Sequence, residues 1–151
     1  MPFKIVRNDI TKVKADAIVN TANPNPICVS GTDLAIYEAA GKEKLLTERA
    51  NIGKIARGDI AVTSAYNLKA KYIIHTVVPK WYDESETNQN ELLEECYKNI
   101  FRISADYDIK SIAIPTLGIG ACRAPVDIAV KSAIDGIINN FFTNTDIDKI
   151  Y

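Results

Sequence analysis

Three polar side chains in one short stretch could act on a ligand together. Asn20 and Asn23 are carboxamides, which offer a donor and an acceptor and can therefore hold a diol or orient a water. Asp33, ten positions after Asn23, adds a carboxylate. Structural alternatives stay open, because loop asparagines often tie the backbone together and the helix dipole favours an aspartate at a helix start.

The elements around these residues predict where they meet. The apolar run 17–19 predicts a buried parallel strand, which must end at the turn residues around Pro24. Residues 34–40 then predict a helix that ends at Gly41. Ligands of open α/β sheets bind in the crevice beyond the carboxyl ends of the strands, so a site is expected here.

A second loop could bind phosphate. It lies between a strand predicted over residues 111–115 and a helix predicted over 126–142, and it contains Gly118 and Gly120. Backbone amides in such a loop can cradle an anion. The alternative is a tight strand-to-helix connection without a ligand.

The remaining patterns complete an α/β chain. Strands are predicted over residues 3–7 and 71–78, and helices over 42–51 and 91–107. The single histidine, His75, lies within an apolar strand, so we interpret it as a core residue and not as a general base.

Length and composition bound the class of protein. A chain of 151 residues fits one domain, and a net charge of −1 argues against nonspecific attachment to nucleic acid. No apolar run is long enough to predict a membrane span. Three cysteines without paired spacing and one histidine give no zinc signature, so we expect a reduced, cytoplasmic protein that needs no metal and no cofactor.

Several motifs, in this order, resemble the macrodomain family of ADP-ribose-binding modules. They cover nearly the whole chain and comprise residues 8–11, 16–23, 33–36, 39–41, 72–79 and 114–120. The resemblance implies a three-layer α/β/α fold with a central mixed, mostly parallel sheet, formed as a single domain by residues 1–151.

The resemblance also implies the parts of the site. Asp9 would accept a hydrogen bond from the adenine amino group beside the Ile10 backbone, although the same side chain could simply form an Asx-turn. The distal ribose would lie near Asn20, Asn23 and Asp33, with Asn23 and Asp33 as the candidate catalytic pair. The diphosphate would lie between two loops, whose candidate ligand-binding residues are Ser30, Gly31, Thr32, Gly118, Ile119, Gly120, Ala121 and Cys122.

Both loops depart from the family pattern. Residues 28–31 keep only Gly31 of the usual glycine run, and Cys122, Arg123 and Ala124 replace the aromatic residues that usually wall the distal ribose. Three hypotheses follow. The chain binds ADP-ribose or a derivative; it also hydrolyses it, by removing ADP-ribose from acidic side chains or by deacetylating O-acetyl-ADP-ribose; or it is an inactive scaffold for protein interaction. The sequence leaves the oligomeric state open.

The C-terminal residues 147–151 begin like a strand and then stop. Macrodomains usually continue through this strand into another segment. We therefore expect either a domain truncated within its last strand or the N-terminal part of a longer protein.

Overall fold

The chain forms one five-stranded sheet between two layers of helices. The computed structural model describes residues 3–83, 87–141 and 147–151. The strands are β1 (Ala17–Thr21), β2 (Ile60–Ser64), β3 (Tyr72–Thr76), β4 (Ser111–Ala113) and β5 (Lys149–Ile150). The helices are α1 (Gly31–Ala40), α2 (Lys42–Ile52), α3 (Gln89–Asp106) and α4 (Val126–Phe141), with a short 3-10 helix at Ile10–Lys12.

The sheet is mixed and mostly parallel, as predicted. Its order is β2-β3-β1-β4-β5, and only the β2–β3 pair is antiparallel. Because β1, β3 and β4 run in the same direction, their carboxyl ends lie at one edge of the sheet. The segments after β1 and β4, which carry most of the candidate site residues, leave from that edge.

Alternating side chains of the central strands fill two cores. Ile18 of β1 packs toward α1 and α2, whereas its neighbour Val19 packs toward α3 and α4. All of these side chains are fully buried, as are Ile73 and Ile74 beside them on β3. The predicted three-layer α/β/α fold is therefore confirmed.

The strand predicted over residues 3–7 is wrong. Only Phe3 forms a bridge, to Ile150, and the amide of Lys4 donates to the Ile150 carbonyl at 2.9 Å. β5 is two residues long and offers no further ladder, so Ile5 is left 85% exposed. Within the described ranges, no helix combines the length and apolar character needed to cross a membrane.

Candidate functional site

Two cavities adjoin at the carboxyl edge of the sheet. The first, of about 520 Å³, is lined by Asp9 and is called here the Asp9 cavity. The second, of about 570 Å³, is lined by Asn23 and Asp33 and is called the Asp33 cavity. Thr32, Pro115 and Thr116 line both, so the cavities lie side by side, and together they are called here the trough.

Asp9 has a defined structural role. Its Oδ1 atom accepts hydrogen bonds from the amide of Thr11 at 3.0 Å and from the Thr11 hydroxyl at 2.7 Å, which caps the 3-10 helix. These hydrogen bonds hold the pKa of Asp9 below its ordinary value. The Asx-turn predicted as an alternative is present, and the exposed carboxylate also lines the Asp9 cavity beside Ile10.

Asn23 is oriented by its own loop. Its side-chain oxygen accepts a hydrogen bond from the amide of Asn25 at 3.0 Å. A backbone N–H can only donate, so the atom that faces it must be the oxygen. The Asn23 amino group is then the polar end left for a ligand, and it presents donors to the Asp33 cavity.

Asp33 lies in the first turn of α1 and is 8% exposed. Its Oδ1 atom accepts a hydrogen bond from the Asn20 amino group at 2.7 Å. Burial raises the pKa of the Asp33 carboxyl, while the hydrogen bond from Asn20 and the positive charge of Arg49 oppose that rise. A carboxylate with a raised pKa is a stronger base than an exposed one.

Asn20 lies behind the site. It is fully buried and lines neither cavity. Its contacts are the carboxylate of Asp33 and the ring of His75, so in this structure it supports a lining residue. Direct contact between Asn20 and a ligand stays a prediction that this geometry does not favour.

Six residues whose backbone amides are unpaired line the Asp33 cavity in two groups of three. One group is the start of α1, at residues 31–33, and the other is residues 119–121 in the loop after β4. Within the part of the chain that the structure describes, none of these amides donates a hydrogen bond. Unpaired amides at a helix start and in a facing loop suit an anion that lies between them.

The loop after β4 is shaped by Gly118. This residue has φ +93, and a Cβ atom there would lie 3.1 Å from Cβ of Ala124 and 3.6 Å from the ring of Trp81. The amide of Ala124 donates to the Gly118 carbonyl at 2.8 Å and closes the turn. The sequence pattern did not place Trp81, and it proves to be a half-buried support beneath this loop.

The rim of the Asp33 cavity is cationic and carries an aromatic ring. Arg57, Lys80 and Tyr82 line it, with Asp33 as the one carboxylate among its described lining residues. Tyr82 is 53% exposed, with Nζ of Lys80 and the guanidinium of Arg123 at 5.7 and 5.6 Å from its ring centre. Tyr82 thus brings an aromatic face where the loop after β4 has none.

Arg49 is a functional candidate that the sequence did not reveal. It is fully buried and donates to the carbonyls of Gly53 at 2.9 Å, Asn23 at 3.1 Å and Asn25 at 3.4 Å. The guanidinium therefore links the backbone of the loop at residues 23–25 to the end of α2 by hydrogen bonds. These partners are up to 26 residues away in the chain, so no local pattern indicates the contact.

The structure brings most of the predicted site residues to the trough. Asp9 and Ile10 lie in the Asp9 cavity, and Asn20 lies beneath the surface as described above. The other predicted residues line the Asp33 cavity: Asn23, Ser30, Gly31, Thr32, Asp33, Gly118, Ile119, Gly120, Ala121 and Cys122. Among the described residues, no group of three or more His, Cys, Asp or Glu side chains could hold a metal ion.

Comparisons with known proteins agree with this architecture. A macro domain-containing protein of Methanosarcina mazei is 40% identical over 149 residues, which cover 99% of this chain and 79% of that protein. O-acetyl-ADP-ribose deacetylase 1 of Pantoea vagans is 34% identical, covering 97% of this chain and 86% of the relative.

A solved structure supports the same assignment. The Trypanosoma brucei macrodomain, in complex with ADP-ribose, matches with a TM-score of 0.90 at 27% identity, covering 99% of this chain and 62% of that one. The family model described as "Macro domain" matches residues 19–133. On this match and on its fold, the chain belongs to the macrodomain family.

Proposed function

We propose that this macrodomain binds ADP-ribose along the trough, with the diphosphate between the two groups of amides. The observation that carries the proposal is the six unpaired N–H groups of residues 31–33 and 119–121 on one cavity. Two phosphates have enough oxygen atoms to accept from both groups, and the positive end of α1 favours their charge. Arg57 and Lys80 at the rim add to that attraction.

The adenosine end would lie in the Asp9 cavity. Asp9 uses Oδ1 for the Thr11 turn, which leaves Oδ2 as the acceptor for an adenine amino group. The same cavity has apolar walls from side chains such as Ile10 and Ile134, which suit the faces of the base. Thr32, Pro115 and Thr116, shared by both cavities, mark where the nucleotide would cross from one cavity to the other.

We further propose that the chain hydrolyses esters of the distal ribose, either an acetyl ester or the ester that links ADP-ribose to an acidic side chain. Asn23 would donate to a ribose hydroxyl, and the Asp33 carboxylate would take a proton from a water molecule. The water oxygen would bond to the acyl carbon, the bond from that carbon to the ribose oxygen would break, and the proton held by Asp33 would pass to the leaving ribose oxygen. The products would be ADP-ribose and a carboxylic acid.

Calorimetry with a matched variant tests the binding proposal. Asp9→Asn keeps an oxygen for the Thr11 turn and changes only the second oxygen into a donor. We expect micromolar binding of ADP-ribose to the wild type, about −8 kcal/mol, and at least tenfold weaker binding to Asp9→Asn. Asp106→Ala, an exposed residue at the end of α3, is the control and should bind like the wild type. Equal affinities for all three proteins would refute the adenine contact.

Chromatography of O-acetyl-ADP-ribose tests the hydrolysis proposal. Asp33→Asn still accepts from Asn20 but cannot take up a proton, so kcat should fall by about a hundredfold or more. Binding of ADP-ribose, measured by calorimetry, should persist. Wild-type binding without any turnover would leave the chain as a binding module and would refute the catalytic role.

The scaffold hypothesis is supported by an exposed apolar row on α4, of which Val130 and Ile134 also line the Asp9 cavity. Val126, Val130, Ile134 and Ile138 follow one face of α4 and are 67%, 44%, 40% and 49% exposed. A row of this kind is typical of an interaction surface. Absence of heat with ADP-ribose at millimolar concentration would favour this hypothesis over the nucleotide-binding one.

The cellular setting is also a proposal. In the described structure Cys28, Cys96 and Cys122 form no disulfide, and Cys96 is buried. This pattern is usual in a reducing compartment, so we propose that the protein works in the cytoplasm. Trapping of free thiols with a maleimide reagent in freshly lysed cells, followed by mass spectrometry, would test whether all three remain reduced.

A further inference from the structure

Three buried polar side chains lie behind Asp33 and are joined to it and to one another by hydrogen bonds; with Asp33 they are called here the relay. Asn20 and His75 are fully buried and Thr63 is 2% exposed. The Asn20 amino nitrogen lies 2.7 Å from Oδ1 of Asp33 and 3.1 Å from Nδ1 of His75. On the far side of the ring, Nε2 of His75 lies 2.9 Å from the Thr63 hydroxyl. None of the three lines the Asp9 cavity or the Asp33 cavity, so none would touch a ligand in the trough.

Donor and acceptor rules fix the direction of every hydrogen bond in the relay. An ionised Asp33 can only accept, so Asn20 must present its amino group. The second hydrogen of that group then points to His75 Nδ1, which must be unprotonated. The ring proton is therefore on Nε2 and is donated to Thr63, whose own hydrogen goes to the Ser64 carbonyl at 3.1 Å.

The opposite arrangement is unfavourable at each step. A flipped Asn20 would place its oxygen against the Asp33 carboxylate and against the lone pair of His75 Nδ1. A His75 ring with the proton on Nδ1 would place that proton against the Asn20 amino group. The arrangement present leaves Oδ1 of Asn20 buried without a partner in the described structure, but the opposite one would lose the hydrogen bonds to both Asp33 and His75. A buried donor or acceptor without a partner costs about 1–3 kcal/mol, so the arrangement with fewer unpaired groups is selected.

The surroundings keep the ring neutral. Burial, helped by the positive charge of Arg49, lowers the pKa of His75 to about 3. The Tyr37 ring packs at a tilt with its centre 6.1 Å from that of His75, and its own pKa is raised to about 12. The groups that face the ring are thus neutral at physiological pH, apart from Arg49, whose charge disfavours a second ring proton.

We infer that His75 is a positioning residue: held by Thr63 as the neutral Nε2–H form, it fixes the Asn20 amide, which in turn orients Asp33 toward the ligand. The relay itself stands on hydrogen-bond geometry, while its effect on turnover rests on the proposed hydrolysis. Asn20 and Thr63 are positioning residues in the same sense. Asp33 is the only member of the relay that lines the trough.

Nitrogen NMR of the wild type tests the relay without any substitution. The chain has one histidine, so its two ring nitrogen signals need no assignment. We expect the signature of protonated Nε2 and unprotonated Nδ1, unchanged between pH 5 and pH 8. The Nδ1–H signature, or a titration within that range, would overturn the inference.

Two substitutions at one position test the coupling to Asp33. Thr63→Val keeps the shape of the side chain but removes the acceptor for Nε2–H, whereas Thr63→Ser keeps a hydroxyl. In Thr63→Val we expect a loss of the pure Nε2–H signature and a rise in the pKa of Asp33. Carbon NMR of the Asp33 carboxyl group would measure that pKa. Thr63→Ser should restore both. An unchanged Asp33 titration in a folded Thr63→Val protein would overturn the inference.

Kinetics separate the relay from the proposed reaction. For O-acetyl-ADP-ribose we expect Thr63→Val to lower kcat about tenfold with KM unchanged, because a displaced Asn20 amide weakens its hydrogen bond to the charged Asp33 carboxylate. Thr63→Ser should recover most of that loss. A wild type without turnover would refute the hydrolysis proposal, while the two NMR measurements would still decide the relay.

Discussion

Arg49→Met removes the guanidinium that hydrogen-bonds to the loop at residues 23–25, while it keeps a long apolar side chain. Arg49 is fully buried, and its three carbonyl partners belong to Gly53, Asn23 and Asn25. The substitution leaves these acceptors without their donor. It also takes away the charge that opposes the rise in the Asp33 pKa. Both stability and ligand binding should therefore change.

The magnitude follows from the geometry. The hydrogen bonds to Gly53 and Asn23 are 2.9 and 3.1 Å long and half-buried, whereas the third, at 3.4 Å, is weak. Two acceptors left without a donor cost about 1 kcal/mol each, at the lower end of the usual range. We therefore expect Arg49→Met to lower the free energy of unfolding by about 2 kcal/mol. Relief of the buried charge offsets part of any larger cost.

Urea unfolding followed by fluorescence of the single tryptophan, Trp81, measures this loss. Arg102→Met is the matched control, because Arg102 is an exposed arginine on α3, and it should stay within about 0.5 kcal/mol of the wild type. Arg49→Lys keeps the charge, but its single nitrogen cannot donate to carbonyls on both sides. Its free energy of unfolding should therefore lie between those of Arg49→Met and Arg102→Met. Equal stability and equal affinity for ADP-ribose in Arg49→Met and Arg102→Met would refute the role assigned to Arg49.

Three further predictions concern backbone shape and pH. Gly118→Ala, whose Cβ would lie 3.1 Å from Ala124 at φ +93, should cost about 1–3 kcal/mol in urea unfolding and weaken ADP-ribose binding; unchanged binding would contradict the role of this loop. Hydrolysis should fall as pH drops through the raised pKa of Asp33, because only the ionised form accepts a proton, and a flat rate profile from pH 4 to pH 8 would contradict it. His75 has a folded-state pKa of about 3, below its ordinary 6.5, so the unfolded chain binds the extra proton and stability falls as pH drops from 6.5 toward 3. This one proton changes the free energy of unfolding by at most about 1.4 kcal/mol per pH unit. That contribution should be missing from the pH dependence of the urea midpoint in His75→Gln.

The sequence predicts those features that depend on local signals. Helix α1 ends at Gly41, which has φ 115 as a left-handed cap requires, and its first turn carries Asp33 as expected. The apolar run before Asn20 forms the central strand, because every residue at 17–19 is buried from both faces. These patterns need no knowledge of distant partners.

The features missed by the sequence depend on distant partners. Arg49 lies in a charged helical segment, where an arginine normally faces water, yet carbonyls from another loop converge on it. Tyr82 follows a polar stretch, and only the fold brings its ring to the Asp33 cavity. The strand predicted over residues 3–7 fails for the same reason: its alternation is adequate, but the neighbouring strand β5 is too short to pair with it.

The departures of both loops from the family pattern concern side chains, whereas the proposed diphosphate site consists of main-chain groups. Val29 replaces a glycine of the usual run and lines the cavity, but it is 66% exposed, and the start of α1 at Gly31 still follows it along the same wall. In the other loop, Gly118 keeps the positive φ that turns residues 119–121 toward the same cavity. Divergence at Cys122 and Arg123 would therefore change what surrounds the distal ribose in the proposed complex and leaves the amides in place. We accordingly expect substitutions in the rim, such as Tyr82→Ala, to alter the choice of ester far more than the affinity for ADP-ribose, which turnover assays with acetyl and side-chain esters, paired with calorimetry, would measure. A loss of ADP-ribose affinity equal to that of Gly118→Ala would show instead that the ring contributes directly to binding.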